Sequence, residues 1–319
     1  MTKIEEFTSE NCQISKDRLK ELYVRSNFRG FVQTLSHVGA IAVSTFALHE
    51  TWGTNWAIIS FIIQGTLINY LYAGVHELSH WTVFNNRRLN DIFGHFFSFS
   101  ILHARESDRI EHTYHHRYTN DLEKDAEIHG RGAYTLWSYC LYMIGPGYWI
   151  GMLKEMVRHA LGSANEAHYS EKNQKLVVFE ARMYLLGYGL IAFGSWYYGT
   201  MIVVYYWLAP LLLLKGMHQV ENVTEHTGMP HIKGILKNTR SIDTVWVLRW
   251  LCWQMPYHTA HHTYPAVPFW KLKTLHKEIF TDKGIEPETI GYLSFQWNMF
   301  KKLLKEGHSA YSGKKIEDY

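Results

Sequence analysis

Residues 56–80 read WAIISFIIQGTLINYLYAGVHELSH. From Trp56 to Val75 the stretch carries no Lys, Arg, Asp or Glu. Roughly 20 such residues suffice for a helix to cross the hydrocarbon core of a bilayer. The run passes without a breaker into His76-Glu77-Leu78-Ser79-His80, so the same helix is expected to continue through both histidines. A spacing of four puts His76 and His80 on one helical face, about 5–6 Å apart at Cβ. An apolar span that ends in paired imidazoles sets the fold class: a helical membrane protein with a metal-binding pattern at a membrane face. Taken alone, HExxH also matches the zinc peptidase pattern, and that reading stays open at this point.

Outward from this stretch, the apolar runs come in pairs. Residues 1–30 form a polar N-terminal segment, with a helix expected around Lys16–Tyr23. Spans are expected at about 31–48 and 56–75, joined by the short turn HETWGTN, and again at about 177–194 and 200–216, broken near Gly194–Thr200. Residues 133–153 are apolar but contain Gly145-Pro146-Gly147, and read as interfacial or re-entrant rather than spanning. No internal repeat or flexible linker interrupts the chain, so 1–319 reads as a single domain. A soluble protein would have to bury four long uncharged runs in a single core.

The charges orient the hairpins. The first 30 residues hold six Lys or Arg and Trp81–Gly132 holds seven, whereas the turns at His49–Asn55 and Gly194–Thr200 hold none. Basic segments stay on the cytoplasmic side. Both hairpins are therefore expected to dip in from the cytoplasm and return, leaving both termini and every histidine motif on that side. Glu5, Glu6 and Glu10 make the N-terminus unlike a secretory signal. The net charge of +3 is too small and dispersed to argue for nucleic acid. Cys12, Cys140 and Cys252 form neither a CxxC pair nor a disulfide framework.

The chain has 20 histidines, and their spacing decides the chemistry. His112-Thr113-Tyr114-His115-His116 and His258-Thr259-Ala260-His261-His262 are both HxxHH. On a helix, each projects three imidazoles into one small volume. Together with His76 and His80 they supply eight candidate ligands, more than one zinc can use. His218, Asn222 and His226 follow at intervals of four on one helical face. Imidazole suits iron, copper and zinc, and so many imidazoles without a cysteine cluster point to two metals.

The order HELSH, HTYHHRYTN, EHTG, HTAHHTYPAVP resembles the membrane-bound fatty acid desaturase and hydroxylase superfamily over about residues 70–276. The resemblance implies an all-α integral membrane enzyme of about four transmembrane helices in two hairpins, with a cytoplasmic helical cap holding a di-iron site. It implies as ligands His76, His80, His112, His115, His116, His226, His258, His261 and His262, with Asn222 reaching a metal through water. It further implies two Fe2+ ions, O2 as co-substrate, a fatty acyl or lipid-like substrate, and an external donor of the ferredoxin or cytochrome b5 type. The membrane would be a bacterial inner membrane or the endoplasmic reticulum.

Desaturation of a fatty acyl chain is the leading expectation. The alternative is hydroxylation or desaturation of a smaller non-lipid metabolite, as in the rhizobitoxine and rhizopine branches. The chain departs from the family pattern in places. The first box has three intervening residues where the animal acyl-CoA enzymes have four. No HPGG haem signature is present, and His218 has no counterpart, reading as an ordinary helix residue. Glu77, Asp108, Glu111, Asp121, Asp125, Glu221 and Glu225 are candidates to hold the imidazole tautomers. Arg105, Arg109, Arg117 and Arg240 are candidates to meet an acidic headgroup or the electron donor. His37, His95, His129 and His308 read as structural or surface residues.

Overall fold

Helix signals in the sequence reappear as helix ends in the computed structural model, which describes residues 12–128 and 133–309. The expectations placed on residues 1–11, on His129 and on residues 310–319 lie outside the described residues. Ser15 caps α1 (Lys16–Leu22) and Ser26 caps α2 (Asn27–Thr51), each side chain accepting the backbone N–H three residues on. Such caps satisfy donors that the first helical turn leaves open. α2 is 25 residues long, about 37 Å at the usual rise. After the Trp52–Asn55 turn, α3 (Trp56–Asn69) and α4 (Leu71–Ser79) form a nearly continuous rod with a single irregular residue at Tyr70.

The rod ends at His80, and Trp81, at φ +55°, turns the chain away. Trp81 is held there by its indole N–H, which donates to Asp91 at 2.8 Å. α5 (Arg87–Ser100) and α6 (Arg105–Tyr118) follow, the second of these carrying the HxxHH motif. Residues 133–153 form no single span. α7 (Leu136–Ile144) stops at Gly145, whose φ of +87° suits glycine, and α8 (Pro146–Ala160) begins at once with proline in its first turn. At 9 and 15 residues neither is long enough to cross a bilayer alone. α9 (Glu171–Tyr197) is a long apolar helix of 27 residues.

Three helical stretches among the described residues are long and apolar enough to cross a membrane: Asn27–Thr51, Trp56–Ser79 and Glu171–Tyr197. Their outer faces leave Val43, Phe46, Ile58, Ile62, Phe179, Leu186, Leu190 and Phe193 exposed. Contiguous apolar surface of this kind marks membrane association. The expected fourth span, at 200–216, differs. It consists of a π-helical turn (Val204–Leu208) and α10 (Ala209–Leu213), followed without a loop by α11 (Lys215–His226).

Pro210 explains the irregularity. It offers no N–H to the Tyr206 carbonyl, the partner it would have in a regular helix. Gln64, from α3 and almost fully buried, donates its amide to that carbonyl at 2.9 Å. Asn69 likewise reaches the Leu211 carbonyl at 2.9 Å. Gly65 allows this approach, because a Cβ there would lie 2.5 Å from the Pro210 oxygen.

The remaining segments close the polar end. α12 (Ile235–Asn238) precedes a strand, Ser241–Asp243, which pairs in parallel with Thr289–Gly291 in the register Ser241↔Thr289. Between them lie α13 (Trp246–Leu251), α14 (His258–Thr263) and α15 (Leu272–Ile279), and α16 (Tyr292–Glu306) completes the described chain. The main core gathers around Trp253, which is fully buried against Phe97 and Phe269 and donates its indole N–H to His37 at 3.1 Å. His37 is structural, as expected.

Candidate metal centre

Four elements deliver nine histidines to one place. α4 and its C-terminal residue bring His76 and His80. α6 brings His112, His115 and His116, α11 ends on His226, and α14 brings His258, His261 and His262. α14 has only six residues and could not persist alone. It is pinned from the strand, where the Ser241 hydroxyl donates to Thr259 Oγ1 at 2.9 Å.

The nitrogens fall into two groups. His76, His80, His112, His116 and His261 offer ligand atoms within 4.8 Å of one another, and so do His115, His226 and His262. His258 joins the second group, its Nε2 lying 2.9 Å from that of His226. The groups adjoin where the His116 and His262 rings meet at 4.3 Å.

The protons on these rings face outward. His112 Nδ1 is 2.7 Å from Glu127 Oε1, His115 Nδ1 is 2.9 Å from Asp125 Oδ2, and His226 Nδ1 is 2.9 Å from the Asn238 carbonyl. Carboxylate and carbonyl oxygens only accept, so Nδ1 carries the hydrogen and Nε2 carries a lone pair. The Nε2 atoms of His80, His112, His116 and His261 nevertheless face each other at 2.9–3.1 Å. With the His112 Nε2 fixed as a lone pair, a cluster of Nε2 atoms at this distance is suited to a cation between them. Both ring nitrogens of His76 and Nε2 of His262 are buried without a hydrogen-bond partner, which fits the same occupant. Burial, then the neighbouring imidazoles, hold His116, His258, His261 and His262 well below the ordinary histidine range, and His226 is lowered to about 3. These rings are therefore neutral at physiological pH, the form that binds metal.

Of the candidate carboxylates, three meet box histidines. Asp125 faces His115, Glu225 lies 3.3 Å from His258 Nδ1, and fully buried Glu77 lies 3.4 and 3.7 Å from Nδ1 of His76 and His261. Four do not. Asp108 pairs with His103 at 2.7 Å, Glu111 faces Ser107, Tyr169 and His168, Asp121 accepts from the Glu123 and Lys124 amides, and Glu221 is buried apart from the cluster.

Sequence reasoning missed Glu127, the Asn238 carbonyl and the Thr119 hydroxyl, which is 3.2 Å from His262 Nδ1. Glu127 comes from a loop, Asn238 from the end of α12 and Thr119 from the residue that caps α6, and no spacing to the boxes marks Glu127 or Asn238. Asn222 sits one turn before His226, and its amide oxygen accepts from the Tyr142 hydroxyl at 3.0 Å. Two of the arginines are not free to meet a headgroup or donor protein. Arg105 is buried between Asp91 and Glu106, and Arg240 is buried against Glu288 and the Thr224 carbonyl.

Comparison with known proteins agrees with this geometry. The fatty acid desaturase family model matches residues 51–285. The chain belongs to the fatty acid desaturase family. It is accordingly an oxidoreductase, and its histidine clusters are able to hold metal. The chain is similar to the sn-1 oleoyl-lipid 12-desaturase of Anabaena variabilis, at 23% identity over 92% of this chain and 87% of the relative. It is also similar to dihydrorhizobitoxine desaturase of Bradyrhizobium elkanii, at 26% over 86% of this chain and 82% of the relative. A third relative is the sn-1 acyl-lipid omega-3 desaturase (ferredoxin) of a Nostoc species, at 25% over 67% of this chain and 64% of the relative.

Proposed function

We propose that this protein catalyses O2-dependent desaturation of a fatty acyl chain at a di-iron centre. The observation that carries the reading is the convergence of nine imidazoles, their Nε2 atoms facing one another, in two adjoining groups. His76, His80, His112, His116 and His261 would hold one iron and His115, His226, His258 and His262 the other, with Asn222 contacting a metal through water. The bound irons supply the oxidising power needed to take hydrogen from an unactivated C–H bond. The protein's residues orient and insulate. Glu127, Asp125 and the Asn238 carbonyl fix three of the rings, and the burial of the site excludes water.

An apolar groove of about 400 Å³, walled by Leu102, Trp149, Met152, Leu185, Trp207 and Leu212, suits a hydrocarbon chain. A single-zinc peptidase fits poorly. It would leave most of the nine imidazoles unused, and Glu77 is shut between two ligand rings rather than open to a cleft. Similarity to dihydrorhizobitoxine desaturase supports a second reading, desaturation or hydroxylation of a smaller metabolite, on the same centre.

The topology we infer is four spans in two hairpins, counting the kinked 200–216 segment as the fourth. The histidine sites and both termini would face the cytoplasm, and the whole chain would act as one domain. Electrons would come from an external ferredoxin or cytochrome b5 type donor, a ferredoxin being named for the Nostoc relative. Expression in a lipid-rich host, with metal and product analysis, tests the reading. Two irons per chain and a new double bond in an acyl product are expected. One zinc per chain, or unchanged lipids together with a hydroxylated or desaturated small molecule, would refute it.

A further inference from the structure

Each of three metal-bearing helices carries a polar side chain one turn ahead of its first candidate ligand. These are Tyr72 before His76, Asp108 before His112, and His218 before Asn222, and they meet each other. The Tyr72 hydroxyl donates to Asp108 Oδ1 at 3.3 Å, and its ring packs on His218 with centroids 4.2 Å apart. Asp108 is 2.7 Å from His103 Nε2, and the other ring nitrogen of His103 is 2.9 Å from the Tyr148 hydroxyl. This layer adjoins the apolar groove. Leu102 and Trp149 line the groove and neighbour His103 and Tyr148 in the chain, and Leu212 lies three residues before Lys215.

Lys215 completes the layer and is its anomaly. The residue is 2% exposed, and its ammonium lies 3.6 Å from the centroid of the Tyr148 ring. Its hydrogen-bond partner is His218 Nδ1, at 2.8 Å. Among the described residues no carboxylate comes within the 4.0 Å of an ion pair, and the Asp108 charge acts on it only from farther away. An ammonium has three hydrogens to give, and buried cations are otherwise paired. When Lys215 is protonated, His218 Nδ1 accepts from it, which puts the ring proton on Nε2. That atom is buried without a partner. The His218 Nε2–H therefore has no acceptor among the described residues, and Lys215, which gives one hydrogen to His218 and faces the Tyr148 ring, meets no carboxylate within ion-pair distance. The backbone makes room for the arrangement: at Gly145 a Cβ would lie 2.7 Å from Lys215 Cγ.

We propose that Lys215 and His218 bind a carboxylate of the substrate, whose apolar tail lies in the adjoining groove. The inference rests on the proposed oxidase reading only in taking the occupant to be the substrate. Tyr72 and His218 stand one helical turn, about 5.4 Å of rise, from His76 and Asn222. The oxidised carbons would then lie within a few bonds of the carboxylate, which favours a free acid over an esterified lipid.

Equilibrium binding to the detergent-purified, iron-loaded full chain tests this, with dodecanoate, its methyl ester and dodecyl phosphate as probes. Dodecanoate is expected to bind about 10- to 100-fold tighter than the ester, the range for a hydrogen bond to a charged group. Lys215→Met should abolish that preference at unchanged iron content, and Lys215→Arg should keep part of it. Equal binding of acid and ester by the wild type overturns the proposal whether or not the variants fold, as does a preference that survives in Lys215→Met. Tighter binding of dodecyl phosphate would assign the donors to a headgroup phosphate instead and likewise overturn it. Iron content and product formation are read separately. An active oxidase without acid preference refutes this subsite alone, and an inactive protein with the preference refutes only the oxidase reading.

Discussion

Asp125→Asn should weaken metal binding although Asp125 is not among the candidate ligands. The carboxylate is fully buried. Its Oδ2 accepts from His115 Nδ1 at 2.9 Å and from the Asn120 amide at 2.7 Å, while Oδ1 accepts from the Glu127 amide at 3.0 Å. Three N–H groups thus converge on two oxygens. An asparagine of the same shape has one oxygen and must set its NH2 against a donor on one side. The less costly orientation keeps the oxygen toward His115 and Asn120 and forfeits the bond to Glu127. His115 then keeps its tautomer but loses the negative charge behind it. Loss of such a partner costs about 10- to 100-fold in metal affinity. Retention of the tautomer places Asp125→Asn near the lower end, about 1.4 kcal/mol. Glu127→Gln should cost less, because Glu127 is partly exposed and water can replace its contact with His112. Competition of the iron-loaded protein against a graded series of chelators measures both. Wild-type affinity in Asp125→Asn, or a larger loss in Glu127→Gln, would show that the carboxylates do not support the ligands as reasoned.

Three further outcomes can be checked. His226→Ala should lose bound iron and activity as a box substitution does, with Asn222→Ala milder; unchanged iron by metal analysis in His226→Ala would remove that histidine from the ligand set. The metal-free protein should lose stability as pH falls below about 6.5, where unfolded histidines take up protons. His258, His261 and His262, lowered by burial, do not take them up when folded. The unfolded state then binds more protons, so stability rises with pH across the window between folded and unfolded values, by up to about 1.4 kcal/mol per pH unit for each such histidine. Thermal midpoints at pH 8 and pH 5.5 test the sign, and equal midpoints would contradict it. Gln64→Leu should cost roughly 1–3 kcal/mol by stranding the Tyr206 carbonyl beside Pro210; a thermal midpoint equal to wild type would mean that another donor reaches that carbonyl.

Whereas His226 rested mainly on the family resemblance, the linear chain alone exposed the helical class, the first hairpin, the apolar helix before residue 197 and the eight histidines of the three boxes. Those features are local. A run without charges and a spacing of three or four residues act within one helix, so periodicity exposes them. The sequence also marked Gly145-Pro146 as a break, since the backbone limits of glycine and proline belong to the residues themselves. Only the tertiary structure decided the rest. The uninterrupted apolar reading of 200–216 hid a π turn just before Pro210, tolerable because Gln64 of another helix serves the freed Tyr206 carbonyl, with Asn69 bonding the Leu211 carbonyl beyond it. Arg105 and Arg240 read as available cations until folding enclosed them with Glu106, Asp91 and Glu288. Glu127 reaches the histidines from a loop and Asn238 from α12, and Lys215 becomes a buried donor by packing on Tyr148 and His218. A side chain's partner across long sequence separation depends on which elements pack together, and that choice is made by the whole chain's burial of apolar surface rather than by any local spacing.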